Sequence, residues 1–262
     1  MASSASAPAP RGLRISLLNS AFDRPRETGL HAHAQGQLFA LHIGLLVMET
    51  PAGRWAQLPG RIGWMPPCQA HGARSFGPTS GWSLYLDEAL SARLPLEPQT
   101  LALTPLAARV LERLVAATPD ALRCAPYRRL VQVLLDELAE AGPQPLHLPM
   151  PQDARLARVA AQVLQALASP ATLDDCAARA GMARSSFVRH FRAETGLAFG
   201  QWRQQARLLH ALELLSDGTS VTTTALSVGY DSVSAFIESF RKSFGTTPSR
   251  FFTAGGGAGA AP

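Results

Sequence analysis

Three histidines and a glutamine stand where a metal or a polar ligand could be held. His31 and His33 are two apart, Gln37 follows four later, and His71 lies in the segment PPCQAHGARSFGP. Residues two apart on a β-strand face the same way. Two imidazoles then point to one side, and a third from a neighbouring strand supplies the three nitrogens that suit a divalent metal. The same four side chains would equally serve as hydrogen-bonding groups around a small-molecule effector. His42 is alone in an apolar run and reads as a core or surface residue, and Trp55, Trp64 and Trp82 read as core. Cys68, Cys124 and Cys176 are odd in number, far apart and without CxxC spacing. That pattern excludes a disulfide framework and a zinc knot and fits a reducing cytoplasm, with Cys68 packing near His71.

The second chemically distinctive group is cationic. The formal charge is +5, and Lys242 is the only lysine, so nearly all the positive charge is arginine. The planar guanidinium fork matches phosphate oxygens and guanine edges. A basic balance is permissive for nucleic acid but does not require it.

The elements that position these groups follow from the hydrophobic pattern. From Leu30 to Asp87, short apolar runs broken by glycine and proline predict a compact antiparallel β-unit. From Pro105 to Ala141 the apolar spacing becomes three and four, predicting two amphipathic helices. GPQPLHLPMPQ is too rich in proline for a helix and is assigned to a linker over 142–152. Beyond it, a helix starts on an Asp153 cap, and Thr172 with Asp175 forms a capping box for the next. MASSASAPAPRG has no apolar stretch behind its charge and reads as part of a tail over 1–20, with a second tail over 254–262. No apolar run is long enough to span a bilayer.

The C-terminal part contains an internal repeat. Ala177, Gly181, Phe187, Phe191 and Gly196 align with Ala225, Gly229, Phe236, Phe240 and Gly245, with one extra residue after the second turn glycine. In each copy a short helix ends near a glycine able to adopt the left-handed conformation, and a second helix follows. The phenylalanines four apart dock that second helix, which is the anatomy of a helix-turn-helix. Its opposite face holds Ser185, Arg189 and Arg192 with Val188 at the edge, and in the second copy Ser234, Glu238 and Arg241 flanked by Ile237. Hydroxyls, arginine, a carboxylate and aliphatic methyls are groups that read base edges and thymine methyls. Arg192, Arg203, Arg207, Arg241 and Lys242 are the expected phosphate contacts. FGQWRQQARLLHALELLSDG predicts a long helix that spaces the two units.

GMARSSFVRHFRAETG and GYDSVSAFIESFRKSFGTTPSRFF carry a resemblance to the DNA-binding domain of the AraC/XylS family, over about Asp153 to Phe252. By that resemblance, the base-contacting positions are Ser185, Val188 and Arg189, and Val233, Ser234, Ile237 and Glu238. Ala183 stands where the family usually has a helix-capping serine, Thr224 where it prefers an aliphatic residue, and Glu238 where a basic or neutral side chain is common. The HxH spacing and the later histidine resemble the first motif of the cupin fold, with Gln37 in the place of a ligating glutamate.

The expected architecture is α+β in two domains. A cupin-like β-barrel with trailing helices spans 21–141, and an all-α tandem helix-turn-helix domain spans 153–253. The resemblance implies a cytoplasmic transcription regulator that binds double-stranded DNA and has no enzymatic activity. Its barrel would sense a small molecule or a divalent metal, with the helices of 105–141 as a homodimer surface and no membrane partner. The alternative from another class is a cupin-type metalloenzyme, dioxygenase-like, fused to a DNA-binding module.

Overall fold

The computed structural model describes residues 13–20, 27–142 and 147–253. Most of the expected N-terminal tail and all of the C-terminal one lie outside the described residues. Strands are β1 (Arg14–Ser20), β2 (Glu27–His31), β3 (Gly36–Thr50), β4 (Gly53–Gln57), β5 (Arg61–Met65), β6 (His71–Leu86), β7 (Gln99–Ala102) and β8 (His147–Pro149). Helices are α1 (Glu88–Ser91), α2 (Pro105–Val115), α3 (Pro119–Leu122), α4 (Ala125–Glu140), α5 (Ala154–Gln165), α6 (Leu173–Arg179), α7 (Arg184–Thr195), α8 (Phe199–Ser216), α9 (Val221–Ser227), α10 (Val233–Phe244) and α11 (Pro248–Thr253).

Strands β3 and β6 form the spine of an antiparallel sheet. β1 and β2 pair with different stretches of β6, while β4 and β5 pair with different stretches of β3. The spine bends where the β3–β6 register shifts twice, between Leu41 and Ile43 and between Ile43 and Leu45, irregularities that change which side chains face inward. Before them Phe39 and Leu41 face inward, and after them Leu46 and Met48, joining Trp55 and Met65 in one small core. The two stretches thus fold over each other as facing half-sheets. The expected barrel is open: β7 pairs only with β5 and β8 only with β4, so no ladder among the described residues closes it.

Two stretches read as tail and linker contribute strands. Arg14–Ser20 pairs along β6 from Tyr85 to Thr79, so ordered structure begins inside the segment assigned to the tail. His147–Pro149 of the linker pairs with β4, and its proline is tolerated because β8 is an edge.

The outer face of the sheet is buried twice. Leu38, Trp64, Trp82, Leu84 and Leu101 pack against α2 and α4. Leu45, Val47, Ala56, Leu58, Phe76 and Leu148 pack into the core of the C-terminal helices. The two parts of the chain therefore share one apolar core. Trp202 of α8 donates its ring N–H to the Pro149 carbonyl at 2.7 Å, Gln205 donates to the His147 carbonyl, and Arg54 on β4 reaches Glu213 of α8 at 3.5 Å.

Candidate nucleic-acid interface and histidine cluster

The repeat is present as two superposable units, α6–α7 and α9–α10. Gly181 and Gly229 in the turns have φ of +66° and +83°, and Gly196 and Gly245 after the second helices have +72° and +75°. All four adopt the left-handed conformation their type permits. Phe187, Phe191, Phe236 and Phe240 are fully buried at 0% exposure, each contributing about 1.5–3 kcal/mol by burial. α6 carries the expected capping box: Thr172 Oγ1 accepts from Asp175 N–H, and the Asp175 carboxylate accepts from Thr172 N–H. α10 is capped by Ser232, which accepts from Ala235 N–H at 3.2 Å. α7 begins at Ala183 and has no side-chain cap.

Docking by the phenylalanines turns the opposite faces to solvent. Arg184, Ser185, Val188, Arg189 and Arg192 line one open groove on α7, and Val188 is 38% exposed despite being apolar. On α10, Ser234, Glu238, Arg241 and Lys242 are exposed. Val233 and Ile237 are half-buried and pack against the core, so each presents only an edge outward. Glu238 and Lys242 border a groove between α10 and Gln201, Gln204 and Leu208 of α8. Gln204 donates to Tyr230 and Ser239, tying α8 to the second unit.

Two of the expected phosphate contacts are engaged inside the fold instead. Arg203 donates to the carbonyls of Ala171 and Ser169, clamping the α5–α6 connection onto α8. Arg207 donates to the Leu167 carbonyl at 3.3 Å and lies over the Tyr230 ring at 5.7 Å. Burial holds the Arg207 guanidinium below its ordinary pKa. Both side chains leave α8 toward the loops that fold over it, a direction that helical periodicity in the sequence does not reveal.

The histidines also converge. His31 ends β2, His71 begins β6 and the two are register partners, while His33 follows in the connection to β3. Their ligand atoms all lie within 4.8 Å of one another. Each Nδ1 lies on a backbone carbonyl: His31 on Gly29 at 2.9 Å, His33 on Gln35 at 2.6 Å and His71 on Gln69 at 2.8 Å. A carbonyl only accepts, so Nδ1 carries the proton and each Nε2 keeps a lone pair, as in metal-ligating histidines. Gln37 donates its amide to Ser83 Oγ at 2.9 Å, which turns Oε1 toward His33 Nε2 at 3.2 Å. Two lone pairs so opposed call for a proton or a cation between them. Burial lowers the His71 pKa, which favours the neutral, ligating form of that ring. The residues present therefore fit a divalent metal held by three neutral nitrogens and an amide oxygen.

The sheet, the shared core and the paired outward helix faces define a tandem helix-turn-helix transcription regulator that binds DNA. A family model for a helix-turn-helix domain matches residues 176–254. The HTH-type transcriptional regulator NimR of Escherichia coli (strain K12) is 31% identical over 222 residues, covering 85% of this chain and 81% of that protein. The chain belongs to the AraC/XylS family of transcriptional regulators. The DNA-binding domain of the transcription factor AdpA, solved with a target DNA, is 36% identical over 37% of this chain and 89% of its own, with a TM-score of 0.36. Fatty-acid-bound ToxT of Vibrio cholerae covers 98% of this chain and all of its own at 10% identity and a TM-score of 0.40. No helix among the described residues is long and apolar enough to cross a membrane.

Proposed function

We propose that α7 and α10 read promoter DNA in two successive major grooves, and that the N-terminal sheet domain adjusts this binding in response to a metal or small molecule. Ser185, Val188 and Arg189 on α7, and Val233, Ser234, Ile237 and Glu238 on α10, are the base-reading set. Arg192, Arg241 and Lys242 hold the backbone. The observation that carries the reading is the repetition of one docked geometry with solvent-facing polar groups at equivalent positions, Ser185 with Ser234, Arg189 with Glu238 and Arg192 with Arg241. Arg189 on α7 is matched by Glu238 on α10, and Ala193 by Lys242, so α7 contributes more of the sequence preference and α10 more of the backbone contact.

The histidine cluster supports a regulatory metal, which would supply a cation to bridge Gln37 and the three rings at the mouth of the folded sheet. The helices α2 and α4 are the proposed homodimer surface, with Leu106 at 51% and Val133 at 37% exposure on their outer sides. A single experiment tests the DNA reading: sites selected from random DNA by the wild-type protein, followed by titration of Arg189→Ala. Loss of affinity for the selected site with relaxed preference at one base pair is the expected outcome. Equal affinity for both proteins would sink the assignment.

A further inference from the structure

Arg61 opens β5 directly after the β4–β5 turn. The pairing of β5 with β3 sets Phe39 opposite Gly63, and a side chain at Gly63 would run into the Phe39 ring at 2.1 Å. Gly63 and Phe39 therefore share the inner face, and Arg61, two residues back, shares it too. On β4, Gln57 pairs with Leu46 and Trp55 with Met48, which places Gln57 and Trp55 on that same wall. His147 of β8 pairs with Trp55 and stacks on it at 4.3 Å.

This wall is polar without being satisfied. Arg61 Nη1, Gln57 Oε1 and His147 Nε2 are sealed from solvent and meet no hydrogen-bond partner. No aspartate or glutamate occupies an inner position on β3, β4, β5, β6 or β8, and Arg61 makes no ion pair among the described residues. Glu49, the acid on this stretch of β3, faces outward and pairs with Arg54 at 2.6 Å. Burial pulls the Arg61 guanidinium below its ordinary pKa, with no acid opposing the shift. A sequestered cation lacking its counter-charge costs stability that an incoming anion recovers. Arg61 as a whole is half-buried although its Nη1 is sealed.

We propose that the inner wall of the sheet domain binds a small organic carboxylate, its charge on the Arg61 fork and its apolar body against Leu41, Leu46 and Trp55. Gln57 Oε1 accepts from a donor group beside the carboxylate. The proposal rests on the reading of this domain as a sensor and names the class of its effector. His147 couples the site to the DNA-binding part, because its ring lies against Trp55 while its carbonyl holds Gln205 of α8.

The test compares the full-length dialysed protein with Arg61→Met and Arg61→Lys, using cyclohexanecarboxylate and the equally shaped but neutral cyclohexanecarboxamide as probes. Wild type should melt higher with the carboxylate and not with the amide. Arg61→Met should melt higher than wild type without any probe, by more than about 2 °C, and lose the carboxylate response. Arg61→Lys should keep part of it. A lower melting temperature for Arg61→Met, an equal response to the amide, or no response of wild type to the carboxylate would overturn the proposal. Operator binding without probe, followed by fluorescence anisotropy, should match between wild type and Arg61→Met. A failure of DNA binding in both would count against the proposed function instead, leaving the anion site to be judged on melting alone.

Discussion

Ala183→Ser should stabilise the protein through the first recognition helix. The position already has the backbone of a cap, with φ of −63° and ψ of 146°, and the main-chain bond from Phe187 N–H to the Ala183 carbonyl is in place at 2.9 Å. Only the side-chain acceptor is absent. The second unit shows what it would do: Ser232, at the equivalent position, accepts from Ala235 N–H at 3.2 Å. A serine at 183 would accept in the same way from Ser186 N–H. Replacing alanine by a good capping residue at such a site contributes about 1 kcal/mol, which in a chain of this size moves the melting temperature by roughly 2–4 °C. Urea denaturation at neutral pH measures it, as an increase in midpoint at unchanged slope. The mutation adds no group to the face bearing Ser185 and Arg189, so sequence preference for DNA should stay as it was. An unchanged or lower midpoint would refute the reasoning, since it would mean that α7 gains nothing from the cap its twin uses.

Further outcomes follow from the site geometry. Arg189→Ala should weaken binding to a selected site by about 1–3 kcal/mol and relax one base position, whereas Arg203→Ala should lower the melting temperature and leave the salt dependence of DNA binding unchanged. His71→Ala should abolish stoichiometric uptake of Zn²⁺ measured by titration calorimetry, and wild-type uptake should weaken on acidification as the imidazoles take up protons. His147 is held neutral by burial, its pKa lowered to about 4. Between that value and the ordinary histidine range the unfolded chain binds more protons, so stability should fall as pH drops through this window. His147→Phe, which keeps a ring on Trp55, should flatten the fall; an identical pH profile for both proteins would remove His147 from the explanation.

The repeat was legible because its signals are local. A glycine forced into the left-handed conformation, a phenylalanine pair four apart and a capping threonine each act within one turn of chain, and all of them sit as their spacing requires. The histidine cluster was legible in part: His71 opens the strand that pairs with His31, but His33 lies beyond the end of β2, so the connection to β3 and not strand alternation places its ring. What escaped was set by distant chain. Nothing local distinguishes Arg203 and Arg207, which turn inward onto loop carbonyls, from Arg192, which stays exposed. The linker concealed β8 because four prolines in its segment outweigh three residues that need only one neighbouring edge, the Gly53–Trp55 stretch of β4. The missing closure of the barrel likewise depends on which strands share β3 and β6, a matter of pairing and not of hydrophobic alternation.

That short strand decides how a ligand in the sheet domain could act on DNA. A ligand shifts a conformational equilibrium only as far as its contacts differ between the two states, so a bound group must touch something that the DNA-binding part also touches. β8 meets that condition. Its His147 ring lies on Trp55 of the inner wall, its backbone accepts from Gln205 and Trp202 of α8, and α8 in turn holds α10 through Gln204, Tyr230 and Ser239. A flexible linker between the same two parts would pass no such strain, because each could move without breaking a contact in the other. Here the apolar core is continuous from Leu45 and Phe76 on the sheet to Trp202 and Phe240 on the helices. Packed interiors of this kind respond by switching between discrete arrangements and do not yield gradually. The spacing and tilt of α7 and α10 are accordingly the quantities on which occupancy of the inner wall would act, more than the chemistry of the faces that meet the bases.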